Sequence, residues 1–256
     1  MIGAIAGDVI GSTYEFHPNK SADFPLFTRW SKFTDDTVCS IAVANAIMTD
    51  GNYVQHIKDY CQVHPDAGYG GMFYRWVHAS TMLSYNSYGN GSAMRVSPVG
   101  FAFKAEKDVL SEAKRSAEIT HNHPEGIKGA QAVALAIFLA VQGSDKLTIK
   151  REIEDRFQYD LNRKLDDIRP EYHFDETCQG SVSESIIAFL ESSSYEECIR
   201  LAVSLGGDAD TQACIAGGIA QAFYRDIPTE ILDKTQALLT QDMRETLITF
   251  KNRFGW

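Results

Sequence analysis

The sequence lacks the marks of several large protein classes. It has no C-x-x-C pair, and its five cysteines (39, 61, 178, 198 and 214) are odd in number, three of them within apolar helical stretches. A disulfide framework is therefore not indicated, and reduced structural thiols in a cytoplasmic protein are expected. A basic surplus is also missing. The 24 Lys and Arg against 34 Asp and Glu leave a formal charge of −10, which argues against a nucleic-acid-binding surface. Long apolar runs are absent: the longest, Ala132 to Val141, has ten residues, about half of the roughly 20 that a membrane-spanning helix needs, so no membrane partner is expected. The opening MIGAIAGDVIGSTYEF has no basic region ahead of its apolar part, and Asp8 interrupts that part, so it does not read as a secretory signal. Alternation of the strand type is scarce, and there is neither a linker-like Gly/Ser/Pro tract nor a repeat of 20–50 residues.

What is present is a globular composition, 44% hydrophobic and 23% charged over 256 residues, with apolar positions spaced for helices almost throughout. These features predict an all-α fold in one domain spanning residues 1–256. VCSIAVANAIM, from Val38 to Met48, reads as a helix opened by Thr34–Thr37 and stopped by Asp50-Gly51. Pro124 falls at a first helical position, and the apolar helix behind it reaches Gly143 and should be central. Ser181 with Glu184, and Ser194 with Glu197, fit the capping box and predict two further helix starts. After the break Gly206-Gly207, a small-residue helix runs from Asp208 to near Arg225. Its Gly217-Gly218 pair is tolerable only where backbone packs closely against something. Residues 158–179 are polar and read as an irregular surface segment.

Two carboxylate clusters stand at the starts of strongly apolar helices: Thr34-Asp35-Asp36-Thr37 and Asp208-x-Asp210-Thr211. Taken singly, either reads as helix capping. A cap needs one acceptor, however, and each cluster offers two carboxylates and a threonine at the mouth of what should be core. Such crowding of like charge calls for a cation. Carboxylate and hydroxyl oxygens suit Mg²⁺, Mn²⁺ or Ca²⁺. Zinc is disfavoured, because the seven histidines supply only the pair His121-x-His123 and no neighbouring cysteine. The glycine and glutamate of an EF-hand loop are missing as well. Near the N-terminus, Asp8 and Glu15 would share a face if one helix carried both, and Asp8 by itself reads as an ordinary solvated or capping acid. The run Asn86 to Ser92 is either a tight turn or a loop whose bare amides approach an anionic ligand, with Tyr88 free to stack on a base. His121, ahead of a helix start, could cap it or meet a phosphate.

Several ordered stretches then resemble one family: GAIAGDVIGSTYEF at the start, FTDDT at 33–37, SYGNGSAMRVSPVG at 87–100, THNHPEGIKGA at 120–130 and SLGGDADT at 204–211. Singly each is weak, but in this order and spacing, from about residue 1 to residue 228, the chain resembles the ADP-ribosylglycohydrolase family, of the dinitrogenase reductase-activating glycohydrolase and ADP-ribosyl-acceptor hydrolase type. The resemblance implies an orthogonally packed multi-helix domain. It also implies cleavage of the glycosidic bond between ADP-ribose and an acceptor, with two Mg²⁺ ions for which Mn²⁺ could substitute. ADP-ribose or an ADP-ribosylated protein would be the partner. Carried over position by position, metal ligands fall on Thr34, Asp35, Asp36, Asp208, Asp210 and Thr211. Glu15 matches a glutamate near the metals, Ser87, Tyr88, Gly89, Asn90 and Gly91 match the segment that contacts ADP-ribose, and His121 matches a ligand-contacting histidine. Ala209 departs from the serine that many relatives have there. Either Asp36 or Glu15 would be the catalytic base. The match weakens over 46–80 and 144–179, where acceptor specificity could reside. Two rival readings are a Mg²⁺-dependent nucleotide phosphohydrolase and a non-catalytic ADP-ribose-binding paralogue. The second should have lost some of the four metal aspartates, and all four are here.

Overall fold

The computed structural model describes residues 1–80 and 83–256. Among them the regular structure is helical: α1 (Ile2–Gly11), α2 (Asp35–Met48), α3 (Tyr53–Val63), α4 (Gly71–His78), α5 (Gly91–Met94), α6 (Ser97–Ala102), α7 (Glu106–Glu118), α8 (Pro124–Val141), α9 (Lys146–Phe157), α10 (Leu165–Ile168), α11 (Cys178–Glu191), α12 (Tyr195–Val203), α13 (Ala209–Tyr224), α14 (Thr229–Leu238) and α15 (Gln241–Phe254). A lone β-bridge joins Gly89 to Thr177. The buried apolar side chains form one contiguous core, as an all-α single domain requires.

The core is organised by the packing of α1 on α13. Gly3, Gly7 and Gly11 recur every fourth residue and so share one face of α1. A Cβ at Gly7 would collide with the Ala213 carbonyl, one at Gly11 with the Ala209 carbonyl, and one at Gly217 with the Gly3 carbonyl. The two backbones touch, which explains why α13 tolerates Gly217. Gln221 Oε1 accepts from the Gly3 amide (2.7 Å) and Tyr195 Oη donates to the Gly3 carbonyl (2.6 Å), fixing the register at the far end. Helix α8 is long and apolar enough by length and composition to cross a membrane. Here its apolar residues are buried among α6, α7, α11 and α13, the central position expected from its pattern. All five cysteines are buried and free.

Helix starts follow the sequence signals with one exception. Thr34 caps α2 by accepting from the Asp36 amide, His123 caps α8 ahead of Pro124, and Ser194 caps α12 by accepting from the Glu197 amide. The exception is the box expected at Ser181. Helix α11 begins at Cys178, capped by Thr177, whose hydroxyl accepts from the Gly180 amide (3.1 Å). The bridge to Gly89 holds Thr177 extended, so the helix starts there. Ser181 then lies inside the first turns, donating to the Thr177 carbonyl (2.6 Å), and Glu184 pairs with Arg163 (2.7 Å). Residues 158–179 are also less superficial than their polarity suggests. They bury Tyr159, Leu161 and Leu165, and their end is tied to the 88–90 loop by the Cys178 amide to the Tyr88 carbonyl (2.9 Å) and the Asn90 amide to the Glu176 carbonyl (2.7 Å). Finally, α1 stops at Gly11, so Glu15 lies beyond it and not on its face.

The backbone contact makes a specific demand on Gly7. Gly7→Ala would force α1 off α13, and thermal unfolding should show a loss of about 1–3 kcal/mol, the usual penalty of overpacking. Gly70→Ala, where an added Cβ meets nothing within 4 Å, should leave the melting temperature nearly unchanged. Equal behaviour of the two variants would contradict the packing described.

Candidate metal centre and ligand cleft

The N-termini of α2 and α13 meet at the floor of a cleft of about 490 Å³, within the usual size of a small-molecule site. Thr211 Oγ1 donates to Asp36 Oδ2 across the junction (3.2 Å). On the α13 side, carboxylate oxygens of Glu15, Asp208 and Asp210 lie within 4.8 Å of one another. The capping reading fails for Asp208, which occupies the N-cap of α13 without a side-chain capping bond. Its Oδ2 instead accepts from Asn90 Nδ2 (2.7 Å). On α2 the cap is Thr34, which leaves Asp35 and Asp36 free of that duty.

Of the two ordinary roles expected of Asp8, solvated or capping acid, the structure shows the second: it is fully buried and accepts four hydrogen bonds from the start of a different helix. These come from the Thr34 amide (3.0 Å) and hydroxyl (2.8 Å), and from the Thr37 amide (3.1 Å) and hydroxyl. It thus satisfies free donors at the start of α2 and ties α2 to α1. Burial still drives its carboxyl upward, against the pull of those bonds.

Electrostatics set the character of the floor. Burial, then the neighbouring carboxylates, push Asp35, Asp36 and Asp210 well above the usual carboxylate range. Burial also raises Asp208 to about 6. Glu15, half-buried, is raised to about 8 by burial and then by Asp210 and Asp8. One buried oxygen, Asp36 Oδ1, has no hydrogen-bond partner. An orphaned carboxylate oxygen among all-oxygen donors fits a hard divalent cation, whose charge would bring these groups back to ionisation.

Most of the expected site residues line this one cleft: Glu15, Asp35, Asp36, Ser87, Gly89, Asn90, Gly91, His121, Asp208, Asp210 and Thr211. Two do not. Thr34 is occupied in capping and in its bond to Asp8, and the Tyr88 ring turns outward onto His123 (5.3 Å between centroids). Nor are all of the loop's amides bare. Those of Ser87, Gly89 and Asn90 donate to the Thr120 carbonyl, Ser87 Oγ and the Glu176 carbonyl. His121 is buried, and burial followed by the Arg95 charge holds its pKa well below the ordinary histidine value. It is a neutral hydrogen-bonding group, not a counter-charge. Sequence reasoning missed Asp8, Arg95, Tyr85 and the mouth residues Phe16 and Phe174. Phe16 and Phe174 are exposed, with ring centroids 6.3 Å apart. A signal for Phe16 was its place beside Glu15, and for Arg95 its place within the glycine-loop motif.

Comparison with known proteins places the chain in one family and one fold. A family model described as ADP-ribosylglycohydrolase matches residues 1–254. The ADP-ribosylhydrolase ARH3 of Mus musculus is 27% identical, aligned over 88% of this chain and 82% of the relative. The ADP-ribosyl-[dinitrogen reductase] glycohydrolase of Rhodospirillum rubrum is 25% identical over 95% and 91%. A solved structure titled ADP-ribosylglycohydrolase-related protein complex superposes with a TM-score of 0.75 at 24% identity, covering 98% of this chain and 95% of that one, and so shares its fold.

The carboxyl shifts give a pH signature. A carboxyl with a raised folded-state pKa keeps its proton in the native protein after the unfolded chain has released it. Its contribution is therefore complete below the unfolded value of 3.8 and is lost as pH rises through the folded one, about 6 for Asp208. Glu15 extends the window to about 8. EDTA-treated protein should melt at progressively lower temperature across that window, and added Mg²⁺ should restore most at its alkaline end. A melting temperature that rises with pH in EDTA would contradict this account.

Proposed function

The chain belongs to the ADP-ribosylglycohydrolase family, a family of glycosyl-bond hydrolases, and from that premise we propose that it hydrolyses the bond between ADP-ribose and an acceptor, reversing ADP-ribosylation. The observation that carries the proposal is the lining of the cleft. Carboxylates at the starts of α2 and α13, the glycine loop, the neutral His121 and the buried Arg95 all face one cavity. A ligand that develops positive charge at its reacting centre and also carries a diphosphate finds complementary groups for both in that lining.

Asp35, Asp36, Asp208, Asp210 and Thr211 would hold two Mg²⁺ ions, with Mn²⁺ as a substitute. When bound, such ions bring water to ionisation near neutral pH and orient sugar hydroxyls. The protein's own groups do the rest. Asn90 holds Asp208 in place through its side-chain amide (2.7 Å). Thr211 orients Asp36. Acidic side chains around the ribose favour the oxocarbenium character of the transition state, which a basic site would oppose. Glu15, half-buried at the edge of the floor, takes the proton of the attacking water. As the new carbon–oxygen bond forms at the anomeric centre, the bond to the acceptor breaks, and the acceptor nitrogen or oxygen leaves with a proton equivalent to the one that Glu15 took from water and then gives up, returning to its carboxylate. Asp36 is the other base considered from sequence, but its Oδ2 already accepts from Thr211 and its buried, unpartnered Oδ1 is the open oxygen of the metal donor set, which leaves Glu15 the freer group. The site lies in the cytoplasm in this reading, where reduced cysteines are stable.

Incubation with ADP-ribosyl-arginine and ADP-ribosyl-serine peptides should release free ADP-ribose in a Mg²⁺-dependent way. Asp36→Asn and Asp210→Asn should each lower the rate by about 10²-fold or more, the scale seen when a charge-stabilising group is removed. Release of AMP or phosphate would favour a phosphohydrolase instead. Activity that survives EDTA would remove the metal assignment.

A further inference from the structure

Arg95 is the largest side chain wholly shut away from solvent. Among the described residues no carboxylate pairs with it. Its Nη2 donates to the Ser116 carbonyl (2.8 Å) and to Thr120 Oγ1 (2.9 Å), while Nε has no partner. A guanidinium can only donate. Thr120 Oγ1 is therefore the acceptor of that bond; it keeps a second lone pair and one hydrogen, and the other group in reach is His121 Nδ1 at 2.7 Å, to which it donates when the ring proton is on Nε2. The ring is neutral in this buried setting beside Arg95, so it carries one proton. With Nδ1 accepting, that proton sits on Nε2.

Nε2 is the ring atom turned to the cleft. A Cβ on Gly91 would stand 3.1 Å from it and one on Gly89 3.6 Å. The two glycines thus leave the ring edge uncovered, and no protein group among the described residues accepts from Nε2. We propose that Arg95 and Thr120 are positioning residues that fix His121 as an Nε2–H donor aimed into the cleft, and that it meets an anionic oxygen of the ADP-ribose diphosphate. The choice of ligand rests on the functional reading above; the direction of the relay does not. The chain of bonds has a physical advantage over an imidazolium. The Arg95 charge polarises the hydroxyl and then the ring, strengthening the terminal donor, while no second cation has to be buried beside the guanidinium.

Selective ¹⁵N labelling of histidine tests the relay without any ligand. His121, assigned by comparison with His121→Asn, should show a protonated Nε2 and a pyridine-like Nδ1. In Thr120→Val, which removes the hydroxyl at nearly constant volume, the ring should sample both tautomers. The Kd for ADP-ribose should then rise in proportion to the Nε2–H population that is lost, about twofold for an even mixture of tautomers. Thr120→Ser keeps the hydroxyl and should restore both spectrum and affinity. A protonated Nδ1 in the wild type overturns the proposal, as does a Thr120→Val protein with wild-type spectrum and affinity. If Thr120→Val does not fold, the wild-type spectrum and Thr120→Ser decide. A wild type that shows the Nε2 tautomer yet fails to bind ADP-ribose would sink the functional reading and leave the relay standing.

Discussion

The structure depends on one close approach, the backbone-to-backbone contact of α1 with α13. The contact requires glycine at three successive fourth positions of α1 and small residues opposite. Its consequence is electrostatic as much as steric. With α1 this near to α13, Asp8 is carried into the interior at the level where α13 begins, and it can reach the free amides at the start of α2. A larger residue at Gly7 or Gly11 would push Asp8 away from those amides. Asp35 and Asp36 would then lose their fixed relation to Asp208 and Asp210. The glycine face is thus what brings together two acidic helix starts that lie far apart in sequence.

Bringing them together is costly in the absence of a counter-ion. Helix N-termini favour negative charge, and Asp8 gains from that field through its four hydrogen bonds. Asp35 and Asp36 are in a different position, since the α2 cap is already supplied by Thr34. Their carboxyls are driven upward by burial and then by the neighbouring carboxylates. An arrangement that opposes its own ionisation is intelligible as a site completed by cations. The orphaned Asp36 Oδ1 marks where the donor set is open.

Much of this was legible before any coordinates, and the misses share a cause. The all-helical class, the capped starts of α2, α8 and α12, the start of α13 after the Gly206-Gly207 break, and the interior place of the Gly217 segment follow from local rules: period, cap chemistry and backbone freedom. The two aspartate clusters could also be found locally, because each concentrates more acid than a cap can use. What was not legible depends on long-range pairing. Asp8 looks solvated unless the α1 packing is known. The start of α11 moved to Cys178 because a bridge to Gly89, outside any local window, holds Thr177 extended. Tyr88 and the loop amides looked available because their partners, His123, Thr120 and Glu176, come from other segments.

The same pairing bears on how a protein with a net charge of −10 could accept a diphosphate. At physiological ionic strength, charges more than about 8 Å away are largely screened, so local groups decide. Among the described residues the basic groups that line the cleft beside the glycine loop are Arg95, buried and without a carboxylate partner, and His121, linked to it through Thr120. A buried guanidinium without a carboxylate costs stability, and it is best understood as held for an anion that the protein itself does not supply. The acidic floor does the reverse, holding negative charge for a cation. Both imbalances line one cleft, and a ligand that carries the complementary pair answers to them, whatever the charge of the distant surface.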